Sequence, residues 1–388
     1  MFKIINRYFF LFNVFLCFMS LNIKLSFSNI LDITTPAKQV IIYDHEANEV
    51  LFEKNSDDLM KPASMAKVMT AYIVFDRIKD NSLNMLDTFL VSDKAWRMGG
   101  SRSFLELNSN VSIKDLLLGL IVQSGNDAAV VLAEGISGDE EAFAREMNSY
   151  AKIMGMTNTY FTNSTGWPHP DLQTSSRDLI ILTKKIIEDF PTLYKLFEEK
   201  IFTYNNIKQS NRNPLLYTMN GADGLKTGHT NESGYGLIGS VKRNNRRITI
   251  VVNGLSGKKQ RAIESKRLVE IAFRETYLLR MFKEQNTLVE ANVWLGRANK
   301  IDLVAEKPLK ILIARPMIRK TSVQLKWDDP VNAPIKKFQK IGQIIIKVPG
   351  QDDVYTNLVS RTNVEELGPF YRLKSAFNFL LFGGDITN

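Results

Sequence analysis

The chain has 388 residues, of which 44% are hydrophobic and 23% charged, and its formal net charge is +9. That length is too great for one typical core, and the balance is that of a globular protein rather than a disordered one, so two folded domains are expected. The positive excess is spread along the chain, which fits solubility or an affinity for anionic surfaces and does not mark a nucleic-acid partner.

Residues 1–28 read as a secretory signal. Lys3 and Arg7 precede an apolar stretch over residues 8–21, and Ser26 and Ser28 put small residues at the −3 and −1 positions of a cut. The stretch is short for a membrane span and is broken by Asn13 and Asn22. Removal of the segment, which holds Lys3, Arg7, Lys24 and no acid, would leave a net charge of +6. It would also remove Cys17, the single cysteine, so the exported protein would carry no disulfide and would depend on its core.

Next comes a predicted hairpin, with alternating residues 40–44 and 50–54 around Glu46-Ala47-Asn48. Pro62 then suits the first turn of a helix that carries Ser64, Lys67, Val68, Met69 and Tyr72, apolar on nearly all sides and therefore buried. Ser112 and Asp115 form a capping box before a very apolar helix over residues 116–122. That helix stops at Ser124-Gly125-Asn126, and Asp127 opens another that ends near Gly135. Residues 139–154 are amphipathic, with Phe143, Met147, Tyr150 and Met154 on one face. Residues 163–176 are rich in Pro, Gly, Thr and Ser and read as a loop, after which Asp178 begins a helix. Beyond Asp223 the pattern becomes strand-like: residues 226–229, then 236–242 and 247–254 around Asn244-Asn245, a two-residue hairpin turn. A helix over residues 259–281 follows.

Short β-rich runs at 311–313, 322–327 and 341–348 predict a small all-β sandwich. Last comes an amphipathic segment with Phe370, Leu373, Phe377, Leu380 and Leu381 on one face. At 1.5 Å per residue, residues 370–382 would be about 20 Å long, too short to cross a hydrocarbon core of about 30 Å. Such a helix lies on a membrane surface or packs on the β domain, and its late aromatic content favours the membrane.

The expected fold is thus α+β, with an antiparallel sheet and helices followed by a small β domain and a terminal helix. The boundaries are 1–28 for the signal, 29–284 for the first domain, 285–365 for the β domain and 366–388 for the tail. The three histidines, His45, His169 and His229, lack metal-ligand spacing, so neither metal nor cofactor is expected. His45 falls in a hairpin turn and is expected to be exposed; His169, between two prolines, is a loop residue.

Three strings carry chemistry: Ser64-Met65-Ala66-Lys67, Ser124-Gly125-Asn126 and Lys226-Thr227-Gly228. They supply a hydroxyl with a lysine one helical turn away, a second hydroxyl with an amide, and a cationic strand edge. Ser-x-x-Lys recurs at Ser149–Lys152 and Ser256–Lys259, and Ser-x-Asn at Ser20–Asn22 and Ser82–Asn84, whereas Lys-Thr-Gly occurs once. Context separates them, since Ser64 and Ser124 place polar groups within apolar helical sequence, where they are costly unless used or bonded.

With its flanks Pro62-Ala63, Asp127-Ala128, Asn211-Arg212-Asn213, Asp223-Gly224-Leu225 and His229-Thr230, the triplet resembles that of the serine D-alanyl-D-alanine carboxypeptidases, the low-molecular-mass penicillin-binding proteins. The likeness covers nearly all of the mature chain. It implies a β-lactamase/transpeptidase-like catalytic domain and an exported enzyme held by its tail on the outer face of the cytoplasmic membrane. Ser64 would be the acyl-ester nucleophile, Lys67 its base and Ser124 a proton relay. Asn126 would hold the substrate backbone, Lys226 and Thr227 the terminal carboxylate, and Gly228 would let the strand edge approach closely. The resemblance puts the oxyanion hole at the backbone N–H groups of Ser64 and His229. Burial and the nearby Lys226 would lower the pKa of Lys67. Arg212 either adds charge for the carboxylate or makes a structural ion pair. The partners implied are peptidoglycan stem peptides, β-lactams and the membrane surface. A D,D-endopeptidase would use the same parts. A β-lactamase would need a Glu-x-x-x-Asn loop that is not found between Asn126 and Lys226, and a non-catalytic scaffold would not need Ser64, Lys67 and Lys226 together.

Overall fold

The computed structural model describes residues 30–283 and 285–382. The expected signal segment with Cys17 lies outside the described residues, as does Glu284 at the expected domain boundary.

A five-stranded antiparallel sheet organises the first part. Its strands are β1 (Gln39–Asp44), β2 (Glu49–Lys54), β3 (Ala222–Thr230), β4 (Gly234–Arg243) and β5 (Arg246–Leu255), in the order β2-β1-β5-β4-β3. The ends of the segment thus meet in one sheet, with β3 on its edge. Side chains alternate between faces. Ile41, Leu225, Ile238 and Val251 enter a core shared with most of the helices, while Ile42, Leu237, Ile250 and Val252 pack against Leu268, Val269 and Ala272. Cover on both faces explains why β4 and β5 read as continuous apolar runs. Asn244 and Asn245 turn the β4–β5 hairpin at φ 47° and 59°, as two-residue turns require.

Helix α1 (Lys67–Lys79) is buried from Lys67 to Phe75. α2 (Ile113–Leu118) is capped by Ser112, whose Oγ accepts from the Asp115 N–H. The expected helix over 116–122 stays α-helical only to Leu118; Gly119–Gln123 form a wider π turn that ends at Ser124 in the left-handed region, φ 66°. α3 (Asn126–Ser137) runs past Gly135, whose missing Cβ makes room for the Phe89 ring. α4 (Glu140–Met154) and α5 (Ser176–Asp189) complete the helical layer.

The helix expected over 259–281 is α6 (Lys258–Glu275) and stops short. The next six residues form β6 (Thr276–Met281), paired antiparallel with β9 (Leu309–Ala314), because a partner strand outweighs local helical preference. In chain order the remaining strands are β7 (Thr287–Trp294), β8 (Lys300–Ala305), β10 (Ser322–Trp327), β11 (Val331–Asn332), β12 (Lys340–Lys347) and β13 (Val354–Ser360). They make a six-stranded sheet ordered β10-β12-β13-β8-β7-β11. The β6–β9 ribbon links the two parts, since Ile311 and Ile313 enter the β-sheet core and Leu312 between them enters the core under α6. Lys310 reinforces the link with an ion pair to Glu46, 3.0 Å.

The chain ends in α7 (Pro369–Phe382). Phe370, Tyr371, Leu373, Phe377, Leu380 and Leu381 are all exposed. Among the described residues no helix is long and apolar enough to cross a membrane. His45 is not simply exposed as expected. Its turn folds over β5, where Nε2 meets Thr249 Oγ1 at 2.8 Å and the ring packs edge-on against Tyr43.

Candidate active site

Ser64 does not sit within α1 but on the short 3-10 turn Ala63–Ala66 that leads into it. Ala63 takes a left-handed φ of 48°, which aims Ser64 into the cleft at a local cost. Two glycines let other segments close on this turn. A Cβ on Gly166 would lie 1.8 Å from the Ala63 carbonyl oxygen, and one on Gly228 would lie 2.8 Å from the Pro62 carbonyl oxygen.

Lys67 opens α1, and its side chain is almost wholly buried. Its Nζ lies 3.2 Å from Ser64 Oγ, 2.7 Å from Asn126 Oδ1 and 2.6 Å from the Thr165 carbonyl oxygen. Burial, then the Arg212 charge, pulls its pKa down to about 7, against the opposing pull of Asp127 and Glu140. The expected cation was Lys226, but Arg212 takes that part, while Lys67 helps to depress Lys226. A neutral amine has two N–H groups and one lone pair. With the hydrogens given to Asn126 and Thr165, the lone pair is left for the Ser64 hydroxyl proton.

The second string is held from behind. The Asn126 N–H donates to the Ser101 carbonyl at 2.7 Å, and Asn126 Nδ2 donates to the Gly99 carbonyl at 2.7 Å. Buried Asp127 accepts from the Ser103 N–H through both oxygens, at 2.8 and 2.9 Å. Gly125 has no room for a side chain, since a Cβ there would lie 2.0 Å from Ser103 Oγ. Ser124 Oγ is buried and has no hydrogen-bond partner among the described residues. A buried hydroxyl left unbonded costs stability, which fits a group kept free for another partner.

The third string lies on the free edge of β3. Lys226 and Thr227 are buried there, and burial together with the charges of Lys67, Arg212 and Arg261 holds Lys226 well below its ordinary pKa. The His229 ring packs against Tyr235 at a tilt of 33°, with ring centroids 3.9 Å apart. Arg212 donates to Ser101 Oγ at 2.5 Å, and among the described residues it makes no ion pair.

Sequence reasoning missed Arg261. This α6 arginine is 7% exposed, its guanidinium lies 5.7 Å from the Tyr235 ring centroid, and its Nε is buried without a hydrogen-bond partner. Burial lowers its pKa to about 10. No carboxylate pairs with it among the described residues, so the cleft is positive and short of an anion. Nothing in the pattern of α6 sets Arg261 apart from its surface lysines and arginines. Thr165 and Gly166 were also missed, within a stretch read only as loop. The competing strings separate as context implied: Ser82, Ser149 and Ser256 are all exposed.

Residues 28–256 match the family model described as D-alanyl-D-alanine carboxypeptidase, peptidase S11. The chain belongs to that family. Residues 278–366 match the model of the penicillin-binding protein 5 C-terminal domain. Among its relatives, the D-alanyl-D-alanine carboxypeptidase DacA of Haemophilus influenzae is 37% identical over 346 residues, 87% of each chain. The structure of penicillin-binding protein 5 from Haemophilus influenzae is similar at 36% identity and TM-score 0.69, covering 86% of this chain and all of that one. DacD from Francisella tularensis, a D-alanyl-D-alanine carboxypeptidase, is similar at 27% identity and TM-score 0.73, covering 88% of this chain and 96% of that one. The α+β fold, with a transpeptidase-like part before a β-sheet part, is thus that of the S11 carboxypeptidases.

Proposed function

We propose that this S11 family member removes the terminal D-alanine from peptidoglycan stem peptides through an acyl-enzyme on Ser64. The observation that carries this reading is the buried Lys67 amine, 3.2 Å from Ser64 Oγ and with a pKa of about 7, which provides a base at neutral pH. Ser64 Oγ attacks the carbonyl of the penultimate D-alanine while Lys67 takes its proton. Ser124, with its hydroxyl free, gives its proton to the leaving amine as the C–N bond breaks and takes the Ser64 proton back from Lys67, which leaves Lys67 neutral again. Water then cleaves the ester and frees Ser64.

Lys226, Thr227, Arg212 and Arg261 supply the charge and hydroxyl that hold the terminal carboxylate. Asn126 serves two ends: its Oδ1 orients Lys67, and of the two N–H groups on Nδ2 one holds Gly99 and the other serves the peptide backbone. The N–H groups of Ser64 and His229 stabilise the oxyanion, donors typically worth about 3 kcal/mol each. Gly228 keeps that strand edge close to Pro62 and Met65. A β-lactam presents a carboxylate and a strained amide in the same relation and acylates Ser64 likewise.

The exposed apolar residues of α7 suit a membrane surface, and with a cleaved segment 1–28 they support a reading in which the enzyme works on the periplasmic face of the cytoplasmic membrane. A fluorescent penicillin tests the catalytic reading: the wild type takes a covalent label and Ser64→Ala takes none. Equal labelling of the two would overturn it. D-alanine release from a pentapeptide, set against cleavage of a cross-linked dimer, separates carboxypeptidase from endopeptidase.

A further inference from the structure

The root of α7 is pinned between two turns of the β domain. On one side the Leu367 N–H donates to the Leu295 carbonyl and the Arg297 N–H to the Glu365 carbonyl, both at 2.8 Å. On the other, the N–H groups of Ile335 and Val364 each donate to the other's carbonyl at 2.8 Å. Gly368 alone stands between Leu367 and Pro369, where α7 begins. At about 3.6 Å per residue, Phe370 can lie no more than about 22 Å from Val364. A membrane that holds α7 therefore runs close to both turns.

The second of these is Lys336-Lys337-Phe338-Gln339-Lys340, and all five residues are exposed. It is clamped from behind. The Phe338 N–H donates to the Ser360 carbonyl at 2.9 Å, the Lys337 N–H to Asn363 Oδ1 at 2.7 Å, and Ser360 Oγ to the Lys336 carbonyl at 2.5 Å. Phe338 has φ 63°, a conformation that suits Gly or Asn and crowds a larger side chain. Its ring gains little cover in return, since 53% of the residue is exposed and Lys337 Nζ lies 5.0 Å from the ring centroid. The neighbouring Glu365 and Glu366 are taken by Arg297 and Arg372, at 3.0 and 2.9 Å. Among the described residues Lys336, Lys337 and Lys340 make no ion pair. A lone exposed phenylalanine would be an ordinary surface residue. One held outward on a crowded backbone, amid three unpaired lysines and beside the root of an amphipathic helix, is a contact surface.

We propose that the 336–340 turn is a second membrane contact, in which Lys336, Lys337 and Lys340 meet anionic lipid headgroups and Phe338 enters the interface beside α7. This rests on the membrane reading of α7 given above. Charge and shape select the occupant: lysines pair with lipid phosphates while an aromatic ring sits at the boundary of the acyl chains. The turn adds to α7 and does not replace it, because stable surface anchoring takes more than one signal. One helix on a surface leaves the β domain free to turn about its root. Two contacts fix which side of that domain faces the membrane, and with it, through the β6–β9 ribbon, the direction in which the cleft opens.

The test uses the purified protein and two kinds of vesicle, phosphatidylcholine alone and an equal mixture with phosphatidylglycerol, with binding read by co-sedimentation. Each lysine near an anionic surface strengthens binding about fivefold at most. The triple variant Lys336→Gln, Lys337→Gln, Lys340→Gln is therefore expected to bind the mixed vesicles about tenfold or more less tightly and the neutral ones nearly as the wild type does. Phe338→Asn, which suits the φ, is expected to weaken binding to both vesicles while its unfolding midpoint holds or rises. A lower midpoint would show that the ring serves packing and would overturn the proposal. In a Cys17→Ser background, Phe338→Cys carries the single thiol, and an environment-sensitive dye there is expected to shift to the blue on mixed vesicles. The same dye on Tyr355→Cys, at the far end of β13, is expected not to shift. Equal shifts at the two sites, no shift at either, or no selective loss in the triple variant would overturn the proposal. So would a loss of membrane recovery in cells with unchanged vesicle binding, which would make the occupant a membrane protein. If deletion after Pro369 releases the protein but the turn variants do not respond, this inference fails and the reading of α7 stands. If the wild type binds neither vesicle, both fail.

Discussion

The proton on Lys67 should set the acid limb of the reaction. With a pKa of about 7, half of the amine is neutral at pH 7, about nine-tenths at pH 8 and about one-tenth at pH 6. The second-order rate of acylation by a β-lactam should therefore rise about tenfold between pH 6 and pH 8 and then level off. An ordinary lysine, at 10.5, would offer only about one neutral amine in three thousand at pH 7 and would show no plateau below pH 10. The gap between 10.5 and about 7 corresponds to roughly 5 kcal/mol that the fold imposes on the charged amine. His229 does not confuse the reading, because burial and the charges of Arg261 and Lys258 push it below its ordinary 6.5. Two substitutions fix the sign. Arg212→Gln removes a charge that opposes protonation, so it should move the limb up by about half a pH unit to one. Asp127→Asn removes a charge that favours protonation and should move it down. The stability signature has the same origin. Between pH 7 and 10.5 the unfolded lysine binds a proton that the folded one does not. Lys67 therefore lowers stability at pH 7, and the loss is recovered as pH rises through that window. Lys67→Met should remove up to about 1.4 kcal/mol per pH unit from the slope of unfolding free energy there. An acylation rate that is flat from pH 5.5 to 8.5, or a limb above pH 9, would refute the assignment of Lys67 as base.

Gly166→Ala would drive a methyl group into the Ala63 carbonyl and impose φ 76° on an L side chain. We expect a loss of about 3 kcal/mol or more in denaturant unfolding, with slower penicillin acylation, because the Ser64 turn must shift. Gly155→Ala, also at positive φ but with open space around its Cβ, is the control, and equal losses at both sites would show that the contact with Ala63 does not matter. For the tail, deletion of the residues after Pro369 should release the protein from membranes into the soluble fraction, while penicillin labelling per molecule stays as in the wild type. Unchanged membrane recovery would refute the anchor.

What the sequence disclosed and what it hid divide along physical lines. The β4–β5 hairpin was legible because Asn244-Asn245 is a local turn signal, and α1 was legible because its apolar residues surround it. The strings of the site were legible because each puts a hydroxyl or a cation into apolar surroundings. The misses are nonlocal. Residues 276–281 became a strand only because β9 lies beside them, and the π turn before Ser124 depends on Ser103 and Asp127 packing behind it. Arg261 looks like any helical arginine until β4 places Tyr235 against it. Thr165 is a loop residue until its carbonyl is seen to hold the Lys67 amine.

These misses explain how the legible residues can work. Ser64 with a lysine three positions later is a common local arrangement, and it recurs twice in this chain on exposed surfaces without the same surroundings. At Ser64 the amine is enclosed, two of its bonds are taken by Asn126 and Thr165, and the Arg212 charge opposes its proton. Lys226 and Arg261 then have a separate part. Arg261, with a pKa of about 10, keeps its charge beside Lys226, so that under the proposed mechanism an arriving carboxylate is drawn there rather than to Lys67. That separation matters because a carboxylate bound against Lys67 would favour its protonated form and remove the base. One group of cations attracts the substrate's anion while another amine stays neutral enough to act. The two come from different layers, since α1 packs in the core on one face of the five-stranded sheet and α6 in the core on the other.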